Sequence, residues 1–102
     1  MKRYKQKILG RVLRVWIAKN PKRNNEIISL NFLILDEKNE TIVGSINNKY
    51  IQQFEEYFVE GNILLITDFE VWKTTENYKI SNHRFQLRIN DQSTIEIIND
   101  AE

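Results

Sequence analysis

The chain has no cysteine among its 102 residues. Disulfides, thiol nucleophiles and thiolate metal sites are therefore excluded. The three glycines, Gly10, Gly44 and Gly61, stand far apart, so there is no glycine-rich phosphate loop. The single proline is Pro21 and the single histidine is His83. His83 shares the parity of Phe85 and Leu87, which reads as an inward or end-of-core position rather than a general base. No apolar run approaches the roughly 20 residues of a membrane span. Ile8-Leu9 is interrupted at once by Gly10 and Arg11, so no signal-peptide core is expected. No repeat or low-complexity linker divides the chain, and its length fits one domain. Asp36, Glu37 and Glu40 read as a solvated turn rather than a cation site. With no set of nucleophile, base and oxyanion donor, neither enzymatic activity nor a cofactor or metal is expected.

What the chain does have is charge sorted by position. The first 25 residues carry nine basic side chains, from Lys2 to Arg23, and no acid. From 26 to 70 nine acids face only Lys38 and Lys49. From 71 to 90 Lys73, Lys79, Arg84 and Arg88 outweigh Glu76, and the last twelve residues hold four acids and no base. A net charge of +1 conceals this pattern. If folding gathers the two basic stretches, one surface of the molecule attracts polyanions.

Periodicity supplies the elements. Residues 7–17 are rich in β-branched and apolar types and read as a first strand. Its alternation is imperfect, with Ile8, Gly10 and Val12 on one parity and Val15 on the other; Gly10 suits tight curvature or a bulge. Residues 18–25 are a loop by their Asn and Pro content. A second strand spans about 26–36, with Ile28, Leu30, Phe32 and Ile34 on one face. After a turn at 36–40, a third strand sets Ile42, Gly44 and Ile46 against Val43, Ser45 and Asn47. Over 48–58 the period changes: Tyr50, Ile51, Phe54, Tyr57 and Phe58 form one helical stripe, with Asn48 as N-cap and Gly61 as terminator. A fourth strand runs from about Asn62 to Trp72, a loop from 73 to 78, and a fifth strand from 79 to 90, with Phe85, Leu87 and Ile89 opposing Arg84, Gln86 and Arg88. Ile95, Ile97 and Ile98 suggest a short edge strand. The expected parts are a basic arm at 1–6, a domain at 7–98 and an acidic tail at 99–102. The order β-β-β-α-β-β is that of an all-β, five-stranded Greek-key OB-fold barrel, with one α-helix between strands three and four.

Arg11-Val12, Leu35-Asp36-Glu37, the Ile42–Ile46 alternation, Phe54, Glu60-Gly61-Asn62-Ile63, Tyr78, Phe85 and the stretch from Asn90 to Ile95 follow one another in a near-gapless register. Through these residues the chain resembles the OB domains of the replication protein A large subunit, particularly the plant replication-factor-A-like proteins. The resemblance implies binding of single-stranded DNA, roles in replication and repair, and a nuclear setting. It also implies a groove across strands two and three, flanked by the strand 1–2 and 4–5 loops. Carried over by position, Tyr78 is the stacking aromatic of the last hairpin, and Lys19, Lys22 and Arg23 are phosphate contacts. The second stacking position falls on Asn47, a departure from the family pattern. Trp16 and Trp72, each where a strand runs into a groove loop, are candidate replacements. Lys73, Arg84 and Arg88 complete the expected nucleic-acid-binding set.

Each of these residues also has a plainer role. Trp16 and Trp72 suit partly buried packing, and Tyr78 an ordinary hairpin end. The loop cations suit solubility, Arg84 and Arg88 surface ion pairs, and Asn47 a helix cap. Three functions therefore stand side by side. One is a single-stranded nucleic-acid module, with RNA as well as DNA served by stacking and phosphate contacts. Another is an OB domain that holds acidic partner peptides. The last is a structural domain that joins neighbouring replication protein A-type domains or subunits. No membrane partner is expected.

Overall fold

The computed structural model describes residues 2–3, 7–73 and 85–98. Among the described residues, eight strand segments form one sheet: β1 (Lys2–Arg3), β2 (Lys7–Asn20), β3 (Glu26–Asp36), β4 (Thr41–Asn47), β5 (Ile63–Thr67), β6 (Glu70–Lys73), β7 (Phe85–Ile89) and β8 (Thr94–Ile97). One helix, α1 (Asn48–Phe54), follows β4 and runs into a 3-10 turn over Glu55–Tyr57. The sheet order is β1-β6-β7-β4-β3-β2-β5-β8. β5 and β6 are consecutive in the chain yet lie on opposite sides of that order, so the sheet must curl until they meet. All pairings are antiparallel except that of β4 with β7.

The strand count exceeds the expected five for identifiable reasons. The expected fourth strand is broken at Asp68, whose φ of 61° turns the chain between β5 and β6. An aspartate tolerates that left-handed conformation better than most residues. The tail adds β8 beside β5. Lys2 and Arg3, within the stretch expected as an arm, pair with Val71 and Glu70.

The irregular alternation of the first strand is a register shift at Leu13, not at Gly10: Val12 pairs with Ile34 and Arg14 with Leu33. The extra residue returns Val15 to the inner face and turns Arg14 and Trp16 outward. Gly10 serves close approach instead, since an added Cβ would lie 3.1 Å from the Leu35 carbonyl oxygen.

The core lies inside the curl, built from Val12, Leu30, Phe32, Ile34, Ile42, Ile46, Leu64, Ile66, Leu87 and Ile89. Phe54 and Phe58 close one end, with Phe58 against Phe32 at 4.4 Å between ring centres. Phe85 departs from its expected inward place and is 47% exposed, because β7 begins beyond the other end of the core. Ile28 is 48% exposed for the same reason, on the far reach of the β2–β3 hairpin. The helix cap is Asn47, not Asn48: the Lys49 N–H donates to the Asn47 side chain at 3.2 Å. Asn48 instead donates to the Ile27 carbonyl and ties the helix to β3. The α-helix stops at Phe54, well before Gly61. Gly61, at φ 96°, donates its N–H to the Val12 carbonyl and returns the chain to β2.

Candidate nucleic-acid interface

Strand pairing assembles two registered rows on the outer face. One runs Trp16, Asn31, Ser45, Arg88, Glu70 across β2, β3, β4, β7 and β6. The next runs Arg14, Leu33, Val43, Gln86, Trp72 across the same strands. Four strand spacings separate the two flanks, about 19 Å on a flat sheet and less on a curled one. Ser29 and Asn47, registered partners one step further along, extend the polar floor. Leu33 and Val43 are buried although they face away from the core.

Each flank presents an indole with a guanidinium against it. Arg14 stands 5.2 Å from the Trp16 ring centre and Arg88 4.4 Å from that of Trp72. Both tryptophans are half-buried. Trp16 lies within β2, four residues before its end, rather than at a strand–loop junction as expected. The Trp72 Nε1–H donates to Glu70 Oε1 at 3.0 Å, and the Asn90 Nδ2–H donates to Glu70 Oε2 at 2.6 Å. Asn90 is held in turn: its N–H donates to Ser93 Oγ, its Oδ1 accepts from the Gln92 N–H, and the Ser93 hydroxyl donates to the Asp68 carbonyl. Asn90 and Ser93 are buried polar residues, and this network locks the β7–β8 turn against the Asp68 kink.

The loop cations are exposed. Lys19 is the last residue but one of β2, and Lys22 and Arg23 occupy a 3-10 turn whose Lys22 N–H is accepted by the Asn20 side chain at 3.0 Å. Asn24 and Asn25, at φ 56° and 58°, complete the reversal. The loop is thus tighter than the expected 18–25. Lys73, exposed at the end of β6, pairs with Phe85 and stands toward the opposite end of the strands. The N-terminal basic stretch is not gathered at one spot; it is strung along a 14-residue strand from Lys7 outward. Asn47 is exposed at the groove end, its oxygen engaged as helix cap. Tyr78 and Arg84 lie outside the described residues, as does His83.

The structure therefore brings Trp16, Trp72, Arg88 and Asn47 onto one face, with Lys19, Lys22, Arg23 and Lys73 at its ends. Sequence reasoning passed over Arg14, Ser29, Asn31, Glu70 and Asn90. For Ser29 and Asn31 a signal existed, since they alternate with the apolar stripe of β3. For Arg14 the bulge hid the parity. Nothing local joined Glu70 to Asn90.

A curled, mostly antiparallel sheet with a single helix after its third long strand defines an OB-fold domain. A family model described as Domain of unknown function DUF223 matches residues 5–101, and the chain belongs to that family. No curated protein matches. Among solved structures the chain is similar to a subunit of a replication protein A heterotrimer bound to single-stranded DNA, at 18% identity and a TM-score of 0.78. That likeness covers 99% of this chain and 23% of the other, so the present domain is about a quarter of the length of the protein it matches.

Proposed function

We propose that this domain binds single-stranded nucleic acid, with DNA as its strand, in the manner of the replication protein A family and its plant relatives. One observation carries the reading: two half-buried tryptophans, each contacted by an arginine, flank a polar sheet face. Single-strand binding requires flat π faces for bases and cations for the backbone, and this face supplies both. The replication protein A assembly that shares the fold holds single-stranded DNA, which supports the same ligand here. By the same family reading, other replication protein A-type domains or subunits are partners, replication and repair the context, and the nucleus the setting.

Binding by the lone domain is weak. One stacked base contributes roughly 1–3 kcal/mol, so two leave the affinity near micromolar or poorer. Linked domains tighten it by raising effective concentration. Titration of oligo-dT at low salt, followed by amide chemical shifts, should perturb Trp16, Asn31, Ser45, Trp72 and Arg88. Trp16→Ala and Trp72→Ala should each weaken binding by about 1–3 kcal/mol. Unaltered affinity in both variants, or perturbation only on the inner-end residues Phe85 and Ile8, refutes the reading.

A second reading, capture of an acidic amphipathic peptide, is favoured by one feature. Ile27 and Ile28 are 42% and 48% exposed, an apolar patch edged by Arg23 and Lys49 and also by Glu26 and Glu55. Displacement of oligonucleotide by such a peptide distinguishes the two.

A further inference from the structure

Strand pairing leaves one edge of the sheet open. β8 ends the sheet order beside β5, and among the described residues no strand pairs with its other side. The register fixes which backbone groups that edge presents. The Ile98 N–H donates to the Ile63 carbonyl at 2.7 Å, so these two residues form a hydrogen-bonded pair. Antiparallel pairs alternate, so Glu96–Leu65 and Thr94–Thr67 are also hydrogen-bonded, whereas Ile97–Leu64 and Ile95–Ile66 are not. The N–H and C=O groups of Ile95 and Ile97 therefore point away from β5. Proteins blunt such edges with lysine, proline or a bulge. β8 has none of these, and its pairing runs without a shift. Its guards are its length of four residues and a single charge, Glu96. Thr94, Glu96 and Ile97 are exposed, in keeping with an uncovered edge.

We infer that β8 takes up an extended, basic segment of a partner protein as an added antiparallel strand. Main-chain hydrogen bonds to Ile95 and Ile97 hold the segment, and the flanking side chains select it. Glu96 points to the outer face. The added residue opposite it falls in a non-hydrogen-bonded pair, where side chains approach closest, and an acid there favours lysine or arginine. On the inner face Ile97 is 39% exposed although its cross-strand partner Leu64 is fully buried, so it seats the alternate, apolar residues of the segment. The surroundings carry the same sign as Glu96. β8 adjoins the 3-10 turn that holds Glu55 and Glu56, and Glu60 lies in the turn that leads into Ile63. A second copy of this chain fits less well. The two-fold register that uses all four open groups sets Glu96 against Glu96 of the other copy, and like charges directly opposite destabilise a ladder. The edge is also separate from the groove, since β8 lies beyond β5 on the far side of β2. The inference therefore does not depend on the nucleic-acid reading.

The test titrates the domain with an acetylated eight-residue peptide of alternating lysine and valine, read by amide hydrogen exchange and chemical shifts. With free peptide at ten times its Kd, the Ile95 and Ile97 amides should exchange about tenfold more slowly, and the shifts of Trp16 and Trp72 should not move. In the added strand the valines share the face of Ile95 and Ile97, so their N–H groups make the bonds. N-methylation at the valines should abolish the protection, and N-methylation at the lysines should leave it. Glu96→Lys should weaken the lysine peptide about fivefold and favour its glutamate counterpart. No protection at β8, or equal loss with either methylation pattern, overturns the added strand. Equal affinity of the wild-type domain for the lysine and glutamate peptides overturns the basic partner. A dimer formed through β8 without peptide, seen by sedimentation, overturns the choice of occupant. The methylated peptides test the intact protein, so the answer does not depend on how well the variant folds.

Discussion

Gly44 faces Phe32 across the β3–β4 register, and a Cβ at that position would run into the phenyl ring. Phe32 is fully buried and packs on Phe58, so the ring has little room to yield. Gly44→Ala should therefore cost about 1–3 kcal/mol by overpacking. Urea denaturation measures it, and adding Phe32→Leu should recover part of the loss, a coupling expected only of residues in contact. At Asn90 the logic is different. Its side chain is buried among partners more than it is packed, and it joins the turn after β7 to Glu70 on β6. The same amide that fastens the turn also aims the carboxylate into the groove.

The helix shows how one element serves both packing and surface. Phe54 is buried and Tyr50 and Ile51 pack on the core, while Gln52, Gln53 and Glu55 face solvent. Its start depends on Asn47, which leaves β4 in extended geometry and accepts the Lys49 N–H. Asn47→Ala should destabilise the domain by about 1 kcal/mol, and Asn47→Asp should restore the cap. Thermal melting separates the two variants. Asn47→Asp should also weaken oligonucleotide binding, since it brings a second carboxylate to the groove. β2 is the other element with two duties. It pairs with β3 along one side and with β5 along the other, and its bulge at Leu13 switches which residues face out. Without that extra residue Trp16 would fall on the inner face and the groove would lose one flank.

The charge map of the whole molecule is less focused than its order along the chain suggests. Lys7 lies by the turn acids Asp36, Glu37 and Glu40, whereas Arg23 stands beyond the other end of β2. The Asp36 carboxylate accepts the Lys38 and Glu40 N–H groups, so that turn uses an acid for its own geometry. Only part of the positive charge can touch one bound strand. If about four phosphates are engaged, log K should fall with log salt at a slope of about −3. Titrations across a salt series give the slope directly, and a value near zero would contradict backbone contact and favour the peptide reading.

Alternation along β3 and β4, the change of period at Asn48 and the Asp36 turn were legible in the residues because each is local. A strand or helix declares its buried face within a few positions. That was enough for the element order, most of the core and the OB-fold class. The expected fourth strand runs straight through Asp68, whose effect, two strands in place of one, appears only with pairing. The groove is another matter. Trp16, Asn31, Ser45, Arg88 and Glu70 come from five strands spread over more than seventy positions, and only hydrogen-bond register sets them in one row. A single bulge inverts parity for everything beyond it, so no local pattern could say that Arg14 and Trp16 face outward. The sequence alone determined most of the core, since a local apolar period marks a buried face; the tertiary structure decided where that face ends, leaving Phe85 and Ile28 exposed and covering Leu33 and Val43, and which polar residues meet, since both depend on contacts between segments far apart in the chain.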